Sequence, residues 1–143
     1  MLSLSCKAAI KAVVYIGSKY ESDQKSGLRE VAELINENEH TIGKLLQKLV
    51  KAKIINSAKG PNGGFYITKE QISLPIIYIV EAIDGNDVFD RCALGLSKCS
   101  ESKPCPLHDD FKSIRNDFKQ MCLNKKIIDL YEQFNSGLSY LIN

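Results

Sequence analysis

The chain has 143 residues, enough to bury one hydrophobic core with a small appended element. Hydrophobic residues make up 44% and charged residues 25% of the sequence, which excludes a disordered protein. The formal net charge of +2 does not by itself indicate a nucleic-acid partner, and the uncharged stretch at residues 71–80 is too short to span a membrane.

The first sixteen residues do not have the pattern of a secretory signal. They are largely apolar but contain Lys7 and Lys11, and they lack a small-residue cleavage site. We therefore expect a cytoplasmic protein with no membrane association. In that compartment, the five cysteines are more often free thiols or metal ligands than members of a disulfide framework.

Two helices are predicted in the first 39 residues, which carry a net charge of −1. The first helix covers Ser5 to Ser18, where apolar residues recur with helical spacing. A polar loop from Tyr20 to Gly27 follows it. The second helix covers Leu28 to Asn36, and Asn36 to Glu39 form the turn that ends it.

The third helix, His40 to Lys53, has the clearest pattern in the chain. Its apolar residues have the spacing of one buried helical stripe: Ile42, Leu45, Leu46, Leu49 and Val50. The opposite face carries side chains that donate hydrogen bonds: His40, Thr41, Lys44, Gln47, Lys48 and Lys51. Residues 40–70 have a net charge of +5, which favours a phosphate-binding surface over its alternative, a lysine face that is merely solvated.

A β-hairpin with a glycine-rich tip follows the third helix. The predicted strands are Ile54–Ala58 and Phe65–Thr68, and the tip is Lys59–Gly64. Glycines permit backbone conformations closed to other residues, and such a tip can approach a narrow DNA groove closely. A plain hairpin turn would need the same glycines for geometry alone. A helix pair directly before the hairpin favours the wing of a winged helix-turn-helix.

The predicted fold is mainly α with a small β-hairpin. It consists of a winged helix-turn-helix domain over residues 1–84 and a long C-terminal dimerisation helix. In such a domain the third helix enters the major groove of double-stranded DNA. The candidate DNA-contacting residues are Thr41, Lys44, Gln47 and Lys48 on the helix, and Ser57, Lys59, Gly60, Pro61 and Asn62 on the hairpin. A capping box at Thr68 and Gln71 and a helix over Ile76–Ile83, ended by Gly85, complete the domain.

A polar, loop-like stretch at residues 85–105 contains three cysteines: Cys92, Cys99 and Cys105. Three thiolates with one further ligand can hold an iron–sulfur cluster or a zinc ion, and His108 is placed to be that ligand. Spacing alone leaves a cluster, zinc and unmetallated thiols equally open. Cys6 and Cys122 lie among apolar residues, and we expect both to be inert buried thiols.

From Pro106 onward the sequence predicts a long helix with one apolar seam. The seam positions alternate four and three residues apart, which is a heptad pattern: Leu107, Phe111, Ile114, Phe118 and Met121. Such a seam either packs into its own core or pairs with a second copy of the chain, and we predict a two-fold homodimer. A last helix is predicted over Ile127–Leu141. Residues 106–143 would then form the dimerisation and C-terminal helices, after a sensor loop at residues 85–105.

Together these residues resemble the IscR/NsrR family of bacterial winged-helix regulators, and the resemblance covers essentially the whole chain. The motifs that carry it are the hairpin Lys59–Tyr66, the opening Leu4-Ser5 with Ala9–Ala12, and the trio Cys92, Cys99 and Cys105. The resemblance implies that the hairpin is a DNA-contacting wing and that the trio binds an iron–sulfur cluster near the dimerisation helix. Family members with a [2Fe–2S] cluster use a histidine shortly after the third cysteine, which is the position of His108.

Two departures from the family pattern bear on the cofactor. Members with a [4Fe–4S] cluster can take a carboxylate ligand from the partner's first helix, but this chain has Lys7 and Ala8 in that region. The resemblance therefore favours [2Fe–2S] over [4Fe–4S]. The gap between Cys92 and Cys99 is one residue longer than in the best-known cluster binder, and some family members have no cluster.

The sequence thus predicts a transcription regulator: a repressor that binds an inverted-repeat operator as a homodimer and responds to a cluster or to the thiol state of the trio. The alternative is a regulator or protein-interaction module without a cluster, controlled by a partner protein or by zinc. An enzyme that uses Cys105 and His108 as nucleophile and base is a weaker alternative, because no partner carboxylate or oxyanion site is recognisable nearby.

Overall fold

The structure, a computed structural model, describes residues 1–143 and has seven α-helices and one two-stranded antiparallel hairpin. The elements are α1 (Leu4–Ser18), α2 (Leu28–Leu34), α3 (Glu39–Lys51), β1 (Asn56–Ala58), β2 (Gly64–Tyr66), α4 (Lys69–Ile72), α5 (Ile77–Asp84), α6 (His108–Asn124) and α7 (Ile127–Asn135). This order confirms the mainly helical fold with a small hairpin. None of the helices is both long and apolar enough to cross a lipid bilayer.

Side-chain caps define where three of the helices begin. The Ser3 hydroxyl accepts a hydrogen bond from the amide of Cys6 at 3.0 Å, and Oδ1 of the Asn38 side chain accepts one from the amide of Thr41 at 3.1 Å. These bonds satisfy amide groups that the first helical turn leaves without partners. Thr68 and Gln71 form the predicted capping box at the start of α4.

The hydrophobic core is built around α1, which packs against α3, α5 and α7. The fully buried side chains of α1 include Ala12, Val13 and Ile16. Gly17 permits the close crossing with α7, since a Cβ atom there would lie 3.1 Å from Cδ1 of Tyr131. The predicted apolar stripe of α3 is buried at Ile42, Leu45, Leu46 and Leu49, so the opposite face of that helix is directed away from the core.

Several helix ends differ from the predicted ones, and backbone conformation explains most of the differences. Asn36 and Lys53 have left-handed backbones, with φ of 54° and 61°, so α2 ends at Leu34 and α3 at Lys51. Gly137, with φ of 74°, follows the last helix, which ends at Asn135 and not at Leu141. The long helix α6 begins at His108 and not at Pro106.

The hairpin is anchored to the loop before α2 by an additional β-bridge. Ser26 and Phe65 exchange backbone hydrogen bonds of 2.9 Å and 2.8 Å, so residue 26 acts as a short third strand. The bridge requires glycine next to it. Gly64 has φ of +139°, and a Cβ atom there would lie 2.9 Å from the carbonyl oxygen of Ser26.

Replacing Gly64 with alanine is therefore expected to destabilise the chain by about 1–3 kcal/mol, because the substitution adds a steric clash to an unfavourable backbone conformation. Denaturant unfolding measures this difference. Gly60→Ala is the matched control, since Gly60 also has positive φ, of 97°, but has no atom within 4 Å of its would-be Cβ. Equal losses in the two variants would show that the contact with Ser26 contributes nothing.

Candidate nucleic-acid interface and cysteine loop

The outward face of α3 presents all four predicted contact residues to solvent. Thr41, Lys44, Gln47 and Lys48 are exposed, on the side opposite the buried stripe. None of the lysines in α3 or the hairpin takes part in any of the four ion pairs of the structure. Their charges are therefore free to interact with an external anion, and the electrostatic attraction of DNA phosphates is of this kind.

Two further residues belong to this face beside the predicted set. An open groove runs beside the N-terminal part of α3. It is lined by Leu28, Asn38, Glu39, His40, Gly43, Lys44 and Gln47. His40, Lys44 and Gln47 lie at i, i+4 and i+7 and so share one line along the helix. That spacing was present in the sequence and could have added His40 to the candidates. The sequence alone could not identify Gly43 as a residue of this groove, because only the folded structure places it beside Leu28.

The hairpin tip is open to solvent at each predicted position. Ser57, Lys59, Gly60, Pro61 and Asn62 are exposed, and the turn is closed by a hydrogen bond from the Gly63 amide to the Gly60 carbonyl oxygen at 2.9 Å. A further cation, Lys25, lies at the base of the hairpin with its Nζ 5.6 Å from the centre of the Tyr66 ring. The bridge between Ser26 and Phe65 places it there, which the sequence alone did not indicate.

The four predicted metal-ligating side chains lie together as two pairs. The Cys99 sulfur is 3.3 Å from Nδ1 of His108. The thiols of Cys92 and Cys105 lie close enough to shift each other's pKa, that of Cys92 downward and that of Cys105 upward. No group of three or more Cys, His, Asp or Glu side chains is close enough to hold one metal ion in this arrangement. The loop thus brings the predicted residues to one region without joining them at a single point.

The two paired thiols of the loop differ in acidity. Hydrogen bonds from the backbone amides of Leu96 and Leu94 lower the pKa of Cys92, whereas burial raises the pKa of Cys105. Burial also raises the pKa of Cys6 to about 12 and raises that of Cys122. Both of these thiols are fully buried, as predicted, and their raised pKa values make them poor nucleophiles.

The donor chemistry of the loop suits a soft metal centre. Three thiols and one imidazole are ligand types found in iron–sulfur and zinc sites. His108 is 7% exposed, and its Nε2 atom has no hydrogen-bond partner. A buried polar atom without a partner is uncommon in folded proteins, and metal ligation would satisfy it.

The helix α6, together with its N-cap residue Leu107, has an exposed apolar line and a separate buried one. Leu107, Ile114 and Met121, seven residues apart, are 45%, 53% and 45% exposed. The other two positions of the predicted seam, Phe111 and Phe118, are only partly exposed, and Phe118 packs on Phe89 with ring centres 5.7 Å apart. The seam is therefore narrower than predicted, because its two phenylalanines lie closer to the chain itself.

Comparisons with known proteins place these features in a family. Residues 2–133 match the Rrf2 model, described as an iron-dependent transcriptional regulator. A protein of Aquifex aeolicus, described as a candidate HTH-type transcriptional regulator, is 28% identical over 138 residues, which cover 93% of this chain and 94% of that protein.

Solved structures share the fold at lower sequence identity. CymR of B. subtilis, described as a global cysteine regulator, superposes with a TM-score of 0.76 at 17% identity and covers 92% of this chain and 96% of its own. The IscR of T. potens has a TM-score of 0.72 at 13% identity, with 97% and 91% covered. These likenesses confirm the winged-helix fold. By the match over residues 2–133, this chain belongs to the Rrf2 family of transcriptional regulators, which are DNA-binding proteins and not enzymes.

Proposed function

We propose that this chain is a homodimeric repressor that binds an inverted-repeat operator and is controlled by the state of its cysteine loop. The observation that carries the DNA-binding part is the set of exposed, unpaired lysines on α3 and the hairpin. In this proposal α3 enters the major groove and the hairpin tip enters the adjacent minor groove. Thr41, Lys44, Gln47 and Lys48 contact DNA from the helix, and Ser57, Lys59, Gly60, Pro61 and Asn62 contact it from the wing.

The exposed line on α6 supports the homodimer. Large apolar side chains at Leu107, Ile114 and Met121 are left about half exposed by their own chain. Contact with the same line on a second copy would bury them in a self-complementary, two-fold interface. Two copies of α3 would then face two half-sites, and for this reason we expect an inverted-repeat operator.

The loop is proposed to hold an iron–sulfur cluster through Cys92, Cys99, Cys105 and His108, with [2Fe–2S] favoured over [4Fe–4S]. Support comes from the soft donor set and from the unpartnered Nε2 of His108. A bound cluster supplies a redox-active, thiolate-rich centre that cross-links the loop. The chain's own contribution is to tie that loop to α6, since the amide of His108 donates to the carbonyl oxygen of Cys105 at 3.0 Å.

A second candidate is a regulator that uses the thiols or zinc without a cluster. It is favoured because no three of the four side chains converge on a single point. Control by a partner protein belongs to the same class. Anaerobic purification distinguishes the two candidates, because iron and sulfide in matching amounts support the cluster, whereas colourless protein with stoichiometric zinc, or with no metal, supports the second.

Replacing Cys92, Cys99 and Cys105 together with alanine is expected to abolish regulation while preserving the fold. The wild-type dimer should bind its operator with affinities that differ about 5–150-fold between the two loop states, and the variant should show a single affinity. Operator titrations before and after cluster loss, under reducing conditions, measure the ratio.

The matched control replaces three serines of the same loop, Ser97, Ser100 and Ser102, with alanine. It should keep the wild-type ratio. An undiminished ratio in the cysteine variant would rule out control through these thiols, without affecting the proposal that the chain binds DNA.

A further inference from the structure

Arg115 is a buried cation with no anionic partner. It lies on α6 two turns after His108 and is 8% exposed, yet it belongs to none of the four ion pairs. Its Nη1 donates a hydrogen bond to the carbonyl oxygen of Arg91 at 2.8 Å, and its Nε has no partner. Burying an arginine without an anionic partner costs desolvation free energy, so some other interaction has to explain its position.

The bond to Arg91 lies directly before the part of the cysteine loop that contains the three thiols, residues 92–105. The accepting carbonyl belongs to the residue immediately before Cys92. The other end of the loop is held by the amide of His108, which donates to the carbonyl oxygen of Cys105 at 3.0 Å. Both ends of the loop are therefore attached to α6, one through a guanidinium group and one through the backbone.

The same helix carries the exposed apolar line on another face. Ile114, the neighbour of Arg115, is 53% exposed and belongs to that line. The buried residues His108, Arg115 and Cys122 are spaced seven apart, as are Leu107, Ile114 and Met121. A rotation or shift of α6 that follows a change in the loop would therefore move the exposed line as well, because one rigid helix carries both sets of side chains.

We propose that Arg115 is a positioning residue that fixes the start of the cysteine loop to α6 and so transmits the state of the loop to the dimer interface. The inference rests on the proposed function for its regulatory part. An uncharged hydrogen-bond donor would be enough to bind the single carbonyl oxygen of Arg91. The positive charge has a further use when the loop holds thiolate ligands, because a buried cation beside the loop offsets their negative charge.

The test compares Arg115→Gln, which removes the charge and the forked geometry, with Arg115→Lys, which keeps the charge. Lys119→Met is the matched control, because it removes a cation of the same helix that lies 5.9 Å from the centre of the Phe89 ring and makes no hydrogen bond to the segment from Cys92 to Cys105. Each cluster-free, reduced chain is treated with iodoacetamide under anaerobic conditions, and labelling of each cysteine is followed by mass spectrometry. The buried Cys6 and Cys122 report whether the fold is intact.

Cys92 should be labelled about tenfold faster in Arg115→Gln than in wild type, which corresponds to losing one ordinary hydrogen bond that holds the loop closed. Arg115→Lys should restore most of the protection, and Lys119→Met should behave as wild type. The proposal is overturned if Cys92 is labelled at the wild-type rate in Arg115→Gln. It is equally overturned if Cys6 and Cys122 become reactive together with Cys92 in both Arg115 variants, since Arg115 would then only stabilise the whole fold.

Operator affinity provides the second readout. The ratio of affinities between the two loop states should fall toward 1 in Arg115→Gln and remain at the wild-type value in Lys119→Met. Retention of the full ratio in Arg115→Gln would overturn the transmission role. If the wild-type chain itself shows no ratio, the regulatory part of the proposed function is wrong, and the labelling rates still decide whether Arg115 fixes the loop.

Discussion

Replacing Lys44 and Lys48 together with alanine is expected to weaken operator binding by about two to three orders of magnitude at physiological salt. Both side chains are exposed on α3 and free of ion pairs, so each is available to neutralise a phosphate. A dimer would lose four such contacts. The slope of log affinity against log salt should therefore become less steep by about 3.6, at roughly 0.9 for each phosphate contact.

The control for this prediction is the double variant Lys125→Ala and Lys126→Ala, which makes the same change in net charge between α6 and α7. Its affinity and salt slope should stay close to those of wild type. Fluorescence anisotropy titrations of labelled operator at several salt concentrations measure both quantities. If the two double variants lose affinity equally, net charge and not the face of α3 governs binding.

Replacing Ile114 with aspartate is expected to dissociate the dimer and reduce operator affinity by about 10²–10⁴-fold. Ile114 is the most exposed of the three residues in the apolar line of α6. A carboxylate at that position would lie against its own copy across a two-fold interface, where burial and like-charge repulsion both oppose association. The monomer would retain one half-site contact and lose the gain in effective concentration that linking two contacts provides.

Sedimentation velocity measures the oligomeric state in this experiment, and operator titration measures the affinity. Asn116→Asp is the matched control, since it adds the same charge at an exposed position on another face of α6. A dimeric Ile114→Asp variant that binds the operator normally would show that the apolar line is not the dimer interface.

The elements whose apolar residues recur with a clear period were predictable from the sequence. The buried stripe of α3 and its polar opposite face follow from residues spaced three and four apart, and the structure buries Ile42, Leu45, Leu46 and Leu49 as predicted. The capping box at Thr68 and the stop at Gly85 were equally clear, since both depend on local chemistry. The expected hairpin is present, although its strands are shorter than predicted.

The remaining features depend on contacts between residues distant in sequence. No pattern marked the bridge between Ser26 and Phe65, and nothing near Arg115 indicated that its guanidinium would be buried against Arg91. The early end of α7 had a signal in Gly137, but the apolar residues beyond it favoured a longer helix. Cysteine spacing predicted the members of the candidate metal site, but it could not predict their grouping into two pairs, because a flexible loop allows many arrangements.

The bridge between Ser26 and Phe65 has a consequence for protein engineering. A chimaera that transplants only the hairpin into another winged-helix scaffold would leave one edge of Phe65 without its hydrogen-bonding neighbour. The smallest portable unit therefore includes Lys25–Gly27 together with Asn56–Tyr66, two segments separated in the chain. Exchanges of DNA specificity between relatives should move both segments at once.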